Sequence, residues 1–256
     1  LFPFYKDLKK DQIQSFGKDL GESLVNSSEN IISFNIVGGF LNLTISDKYY
    51  LDFIESIKDD IDFGKSKKQN ETFIVEFSSP NTNKPLHLGH IRNNLLGYSI
   101  SKILEANGKN VKKVQIINDR GIHICKSMIA WKQYGEGKTP KSENIKGDKF
   151  VGDYYILFDK IHNQQKNELL KSGIETDKAE DSTQIMQDAK NELMNWENND
   201  EETLKIWNMM NQWVYEGFES TYKLLGVSFD KNYYESQTYL LGKDIIKEGL
   251  SKNVFY

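Results

Sequence analysis

The 256-residue chain carries 33 Lys and Arg against 37 Asp and Glu, a formal charge of −4 that argues against diffuse, charge-driven nucleic-acid binding yet leaves room for a local basic face. With 38% hydrophobic and 27% charged residues it has an ordinary globular composition, long enough for a sizeable core in one large or two modest domains. No apolar run reaches membrane-spanning length, no secretory signal is visible, and a lone Cys125 excludes an intramolecular disulfide framework and fits a reducing cytoplasm.

Residues 1–64 read as a small α+β module. A helix is expected over Leu8–Val25, with Ile13, Phe16, Leu20 and Leu24 on one stripe. Ile32, Phe34 and Ile36 alternate, as do Leu41, Leu43 and Ile45, and Gly38-Gly39 between them signals a β-hairpin. Asp47 is a candidate cap for a helix carrying Tyr50, Ile54 and Ile57. The polar run Gly64–Asn70 (GKSKKQN) is the best domain boundary, which makes 65–256 the second domain.

Phe73, Ile74, Val75 and Phe77 form a short apolar run, the pattern of a strand buried on both faces of a parallel sheet. A polar loop follows, and the helix after it begins beyond Pro85, because the residue before a proline is pushed out of helical geometry. Leu88, Ile91, Leu95, Tyr98, Ile103 and Leu104 recur at helical spacing, Gly108 suits the C-terminal cap, and Val111, Val114, Ile116 and Ile117 supply a second strand. Strand, loop, helix and strand make a βαβ unit with a right-handed crossover, the core of a nucleotide-binding domain.

The chemistry is expected at His87-Leu88-Gly89-His90. A helix N-terminus presents unpaired N–H groups and partial positive charge, so it attracts phosphate. Gly89 lets a flat base or ribose lie against the backbone. His87 and His90, three apart, project to one side, where imidazoles can donate hydrogen bonds to a phosphate whose charge grows during displacement. Lys84 adds a mobile positive charge upstream, and no G-x-x-x-x-G-K-[ST] element makes this a P-loop. His123 and His162 lack useful spacing, so a zinc site is not expected.

Gly121–Tyr134 reads as a helix with Ile124, Met128 and Trp131 on one side, Gly135–Gly147 as loop, and Phe150–His162, Thr183–Trp196 and Glu201–Leu225 as three helices. In the last, Trp207, Met210, Val214, Phe218, Tyr222 and Leu225 form an aromatic-rich stripe whose spacing is that of core rather than base stacking, with Asp200 and Gly226 as caps. Asn163–Asp181 is expected to be mobile, NQQKN being too polar to pack. Residues 136–226 then form a helical insertion, Val227–Asp230 returns to the sheet, Gln237–Ser251 is a helix, and Val254–Tyr256 starts a strand.

At the histidine pair a family resemblance becomes plain. His87-Leu88-Gly89-His90 resembles the first signature of class I aminoacyl-tRNA synthetases, and Val75–Gly97 (VEFSSPNTNKPLHLGHIRNNLLG) is similar to the arginyl-tRNA synthetase family. Asn118-Asp119-Arg120-Gly121, Gly39–Asn42, Phe229-Asp230 and Glu235-Ser236 resemble that family too. The Lys-Ser-Lys-Lys of 65–68 is not its second signature, which belongs far downstream; a solvated linker accounts for it.

The resemblance implies an α/β, Rossmann-like parallel-sheet catalytic domain preceded by a partial N-terminal domain that touches tRNA. It implies that His87, Gly89, His90 and Lys84 bind ATP, with both histidines and Lys84 catalytic, and that Glu76, Ser79, Asn81 and His90 hold L-arginine. From the bare sequence Glu76 is either a solvated strand-end acid or a desolvated carboxylate awaiting a guanidinium; the resemblance favours the second. ATP comes with Mg2+, without a structural metal. The arginine carboxylate attacks the α-phosphate, giving arginyl-adenylate and pyrophosphate, and the terminal adenosine 2′-hydroxyl of tRNA(Arg) then takes the arginyl group. The first step is expected to need bound tRNA, and the protein is expected to be a cytoplasmic monomer. The chain opens on Leu1 and lacks the second signature and an anticodon domain, so a start upstream is expected, as is a piece that folds without charging tRNA. The alternatives are another class I synthetase, a nucleotidylyltransferase (which shares H-x-G-H but lacks the S-S-P-N-T-N-K lead-in) and a non-catalytic tRNA-binding paralogue.

Overall fold

The computed structural model describes residues 1, 4, 8, 9 and 12–255, arranged as two units, Leu1–Lys65 and Ser66–Tyr256. In the first, helix α1 (Gln12–Ser27) lies on a hairpin of β1 (Ile31–Val37) and β2 (Phe40–Ile45). Positive φ at Gly38 and Gly39 closes the hairpin as a two-residue turn. Contact is close: a Cβ on Gly21 would stand 2.4 Å from the Phe34 ring, which is why α1 buries Ile13, Gly17 and Gly21 rather than a full apolar stripe. The start expected at Leu8 falls partly on residues outside those described.

Two local expectations change here. A register shift between Ile31 and Ser33 turns Ile32 outward, leaving it 60% exposed, so the strand does not alternate throughout. Helix α2 (Asp47–Ile57) is capped by Ser46, whose side chain accepts the Tyr49 N–H; Asp47 is its first residue, where its charge meets the positive helix end. None of the α2 residues is buried.

The second unit is built on a three-stranded parallel sheet, β3 (Thr72–Glu76), β4 (Asn110–Ile117) and β5 (Lys231–Tyr234), in the order β3-β4-β5. Helix α3 (Leu88–Ala106) connects β3 to β4. β3 is an edge strand here, and Ile74 is 72% exposed, so the expectation of burial on both faces is corrected: an edge position leaves part of an apolar strand uncovered. The buried face of α3 also differs from the apolar spacing. Asn94, Gly97 and Ser101 face inward, while Leu88 and Ile103 are exposed. Small residues are needed because a Cβ on Gly97 would stand 2.3 Å from Phe77 Cγ. Gly108, at positive φ, follows the helix as expected.

Between β4 and β5 the chain is helical: α4 (Ile122–Tyr134), α5 (Pro140–Glu143), α6 (Gly147–Lys171), α7 (Thr176–Asp181), α8 (Gln184–Glu197) and α9 (Glu201–Leu225). α5 is a short turn within the expected loop, capped by Thr139. The mobile stretch predicted after His162 is instead a continuation of α6, followed by α7. Its polar side chains make defined bonds: Gln165 Oε1 accepts the Ile185 N–H, Lys166 pairs with Glu180, and His162 Nε2 meets the Glu180 carbonyl. Polarity excluded apolar burial there, not order.

The core lies where α4, α6 and α9 meet, around Ile124, Met128, Phe150, Val151, Met210, Val214, Phe218 and Tyr222. The aromatic-rich α9 stripe is therefore core, with Asp200 and Gly226 capping the helix. β5 begins four residues later than expected, because Val227 and Phe229 pack inward on the approach and Asp230 makes the first bonds to β4 at Lys113. Helix α10 (Glu235–Ser251) follows. Val254 and Phe255 are not in a strand: Phe255 turns back onto Gly249, and Tyr256 lies outside the described residues.

Candidate active site

The loop after β3 carries unusual backbone geometry. Ser78 and Ser79 both have positive φ, 69° and 43°, a conformation that costs a non-glycine residue about 1–3 kcal/mol and persists only when its surroundings enforce it. They do. The Ser78 N–H donates to Asn93 Oδ1 at 2.6 Å and its hydroxyl meets Tyr222 Oη at 2.7 Å. Ser79 Oγ donates to Glu76 Oε1 at 2.9 Å and accepts the Ile116 N–H at 3.1 Å. The loop then runs alongside the end of β4: Asn118 donates to the Pro80 carbonyl and accepts from Thr82, with Asn81 bridged to Asn118.

The histidines organise the start of α3. His87 is the N-cap, and its Nδ1 accepts the Gly89 N–H at 3.1 Å. His90 reaches back, its Nδ1 accepting the His87 N–H at 3.2 Å, and the two rings lie 4.1 Å apart. A nitrogen that accepts from a backbone amide carries no proton, so each neutral ring holds its hydrogen on Nε2. The pair therefore offers two Nε2–H donors at a positive helix end, the arrangement that suits an anionic phosphate. Burial, then His87 and Lys84, hold the His90 pKa below the ordinary histidine value. Gly89 has a further role beyond the one expected: a Cβ there would meet the His87 ring at 2.9 Å, so the glycine makes room for the cap.

Of the expected residues, the structure joins Glu76 to Ser79 and His87 to His90, with Lys84 acting electrostatically on His90. Glu76 is exposed, so the desolvation cost argued for it does not arise in this chain. The corner is open. A separate cleft of about 510 Å3, lined by Gln115, Tyr215, Tyr222, Asn232 and Tyr234 among others, includes none of the expected residues. His123, set aside on spacing, hydrogen-bonds Tyr155 Oη at 3.1 Å, and burial, Lys126 and Lys84 lower its pKa. Its i,i+3 relation to Lys126 was readable; its partner 32 residues away was not. Among the described residues no group of three or more His, Cys, Asp or Glu is placed to hold a metal ion, and none of the described helices is long and apolar enough to cross a membrane.

Comparison with known proteins decides the family. The family model described as tRNA synthetases class I (R), catalytic domain, matches residues 54–254. The chain belongs to that family. Arginine–tRNA ligases of Flavobacterium psychrophilum and Porphyromonas gingivalis are 47% and 48% identical to it over its whole length, which spans 44% and 43% of theirs. The Thermus thermophilus arginyl-tRNA synthetase structure covers 98% of this chain, which in turn covers 37% of it, with a TM-score of 0.57 at 24% identity, a likeness of fold. Within this class I synthetase family the parallel α/β sheet and the histidine-capped helix are thus the catalytic-domain framework, as the signature at His87–His90 implied.

Proposed function

We propose that the whole protein activates L-arginine with ATP and transfers it to the 3′ end of tRNA(Arg), as a cytoplasmic monomer. The observation that carries this reading is the reciprocal capping of His87 and His90, which fixes two Nε2–H donors at the start of α3 beside Lys84. Those donors, with Gly89, receive the triphosphate; as charge develops on the α-phosphate under attack by the arginine carboxylate, they stabilise it without reorganising. Glu76, held by Ser79, receives the guanidinium in a charge-assisted contact. Ser79 and Asn81 hold the amino and carboxylate ends, with His90 near the carboxylate. Mg2+ arrives with ATP; the donors at this corner suit phosphate oxygens rather than a cation. The Leu1–Lys65 unit contacts the outer corner of the tRNA. Because the chain spans less than half the length of its relatives, these residues alone do not complete the reaction.

The test is an amino-acid panel with the full-length protein, ATP and tRNA. Charging with arginine and with no other amino acid is expected; preference for a different amino acid, or none charged, overturns the reading.

A further inference from the structure

Asp119, two residues past the end of β4, is 1% exposed. A carboxylate so buried is costly unless donors replace water. Its neighbour Arg120 does not serve it: that guanidinium stacks 3.8 Å from the Tyr239 ring centroid and pairs with Glu197. The donors come from two later elements instead. Asp119 Oδ1 accepts the Ser236 N–H at 2.8 Å, and Oδ2 accepts the hydroxyls of Ser236 at 2.6 Å and Tyr215 at 3.1 Å. Tyr234, which precedes α10, gives no side-chain cap, so Asp119 caps that helix from a distance and gains its positive end. Its backbone carbonyl takes two more bonds, from Trp207 Nε1 and Asn211 Nδ2 on α9.

One residue back, Asn118 holds the Pro80–Thr82 segment through main-chain bonds on both sides of its peptide. We infer that Asp119 is a positioning residue for the amino-acid-binding loop: it locks the end of β4 against α9 and α10, and Asn118 passes that fixed position to Ser79 and Asn81. Burial and the Asp119 charge hold the Tyr215 phenol protonated, so it stays a donor. This inference rests on the proposed assignment of Ser79 and Asn81 to arginine.

The experiment uses full-length protein, with aminoacylation measured as arginine and ATP are varied separately. Ser236→Ala and Tyr215→Phe each delete one hydroxyl donor to Asp119. Each is expected to raise the KM for arginine about three- to tenfold while leaving the KM for ATP within about twofold, as loss of one hydrogen bond to a charged group on a positioning path predicts. Ser236→Thr, which keeps the hydroxyl, restores the wild-type value. An unchanged arginine KM, whatever the thermal stability, or equal rises for both substrates, overturns the inference. Failure of wild type to charge arginine strikes the functional reading itself.

Discussion

The imidazole of His90 folds back to accept the backbone N–H of His87, whose own ring accepts that of Gly89. Each ring thereby satisfies an amide that the helix leaves unpaired and leaves its second nitrogen free of that cap. Loss of either ring removes a cap and, in the proposed function, a phosphate donor together. His87→Ala or His90→Ala in the full-length protein should lower kcat by about 10²–10³-fold, the range for one preorganised donor. A loss under threefold in steady-state aminoacylation would exclude the ring from the reaction.

The same geometry sets a pH dependence. Protonating the His90 ring puts a hydrogen on Nδ1 and breaks its bond to the His87 N–H. The pKa of His90 is lowered by burial, His87 and Lys84, and that of His123 by burial, Lys126 and Lys84. Below the ordinary histidine value of about 6.5 the unfolded chain takes up protons that these folded sites refuse, so stability is fully present above that pH and falls as pH drops through it. Urea midpoints of wild type should decline as pH drops below about 6.5, and His90→Asn should flatten the decline; an unchanged slope in the variant would contradict the assignment.

The Glu76 side chain is exposed and bonded to Ser79 alone among the contacts described. Glu76→Ala should therefore leave stability within about 0.5 kcal/mol while abolishing arginine use in the full-length protein. Normal arginine kinetics in that variant would remove Glu76 from the site.

Packing beneath the helix gives a prediction about stability alone. Gly97→Ala places a Cβ 2.3 Å from Phe77 Cγ and should destabilise the protein by about 1–3 kcal/mol, the usual cost of overpacking. Leu88→Ala, at an 85% exposed position, should stay within about 0.5 kcal/mol. Chemical denaturation of both variants checks the contrast, and reversed effects would mean that α3 seats on its apolar face instead.

The isolated 256-residue chain should fold yet show no arginine-dependent ATP–pyrophosphate exchange with tRNA present. Exchange above the no-arginine blank would mean that this stretch already holds a complete activation site.

Local chemistry was legible in the sequence by itself. Pro85 and the His-Leu-Gly-His run placed a helix start, because caps and proline constraints act within one turn. The α9 stripe was readable as core because Met210, Val214, Phe218 and Tyr222 recur at the helical period. Tertiary structure alone decided which groups were covered. α3 buries Asn94, Gly97 and Ser101, with Phe77 too close to Gly97 for a side chain there, and apolar residues at good spacing stay exposed. α6 continues through NQQKN because partners from α7 and α8 satisfy its polar side chains. Asp119 became a buried hub only when Tyr215 and Ser236, 96 and 117 residues later, closed around it. Short-range sterics are written in neighbouring residues; desolvation depends on whatever the folded chain brings alongside.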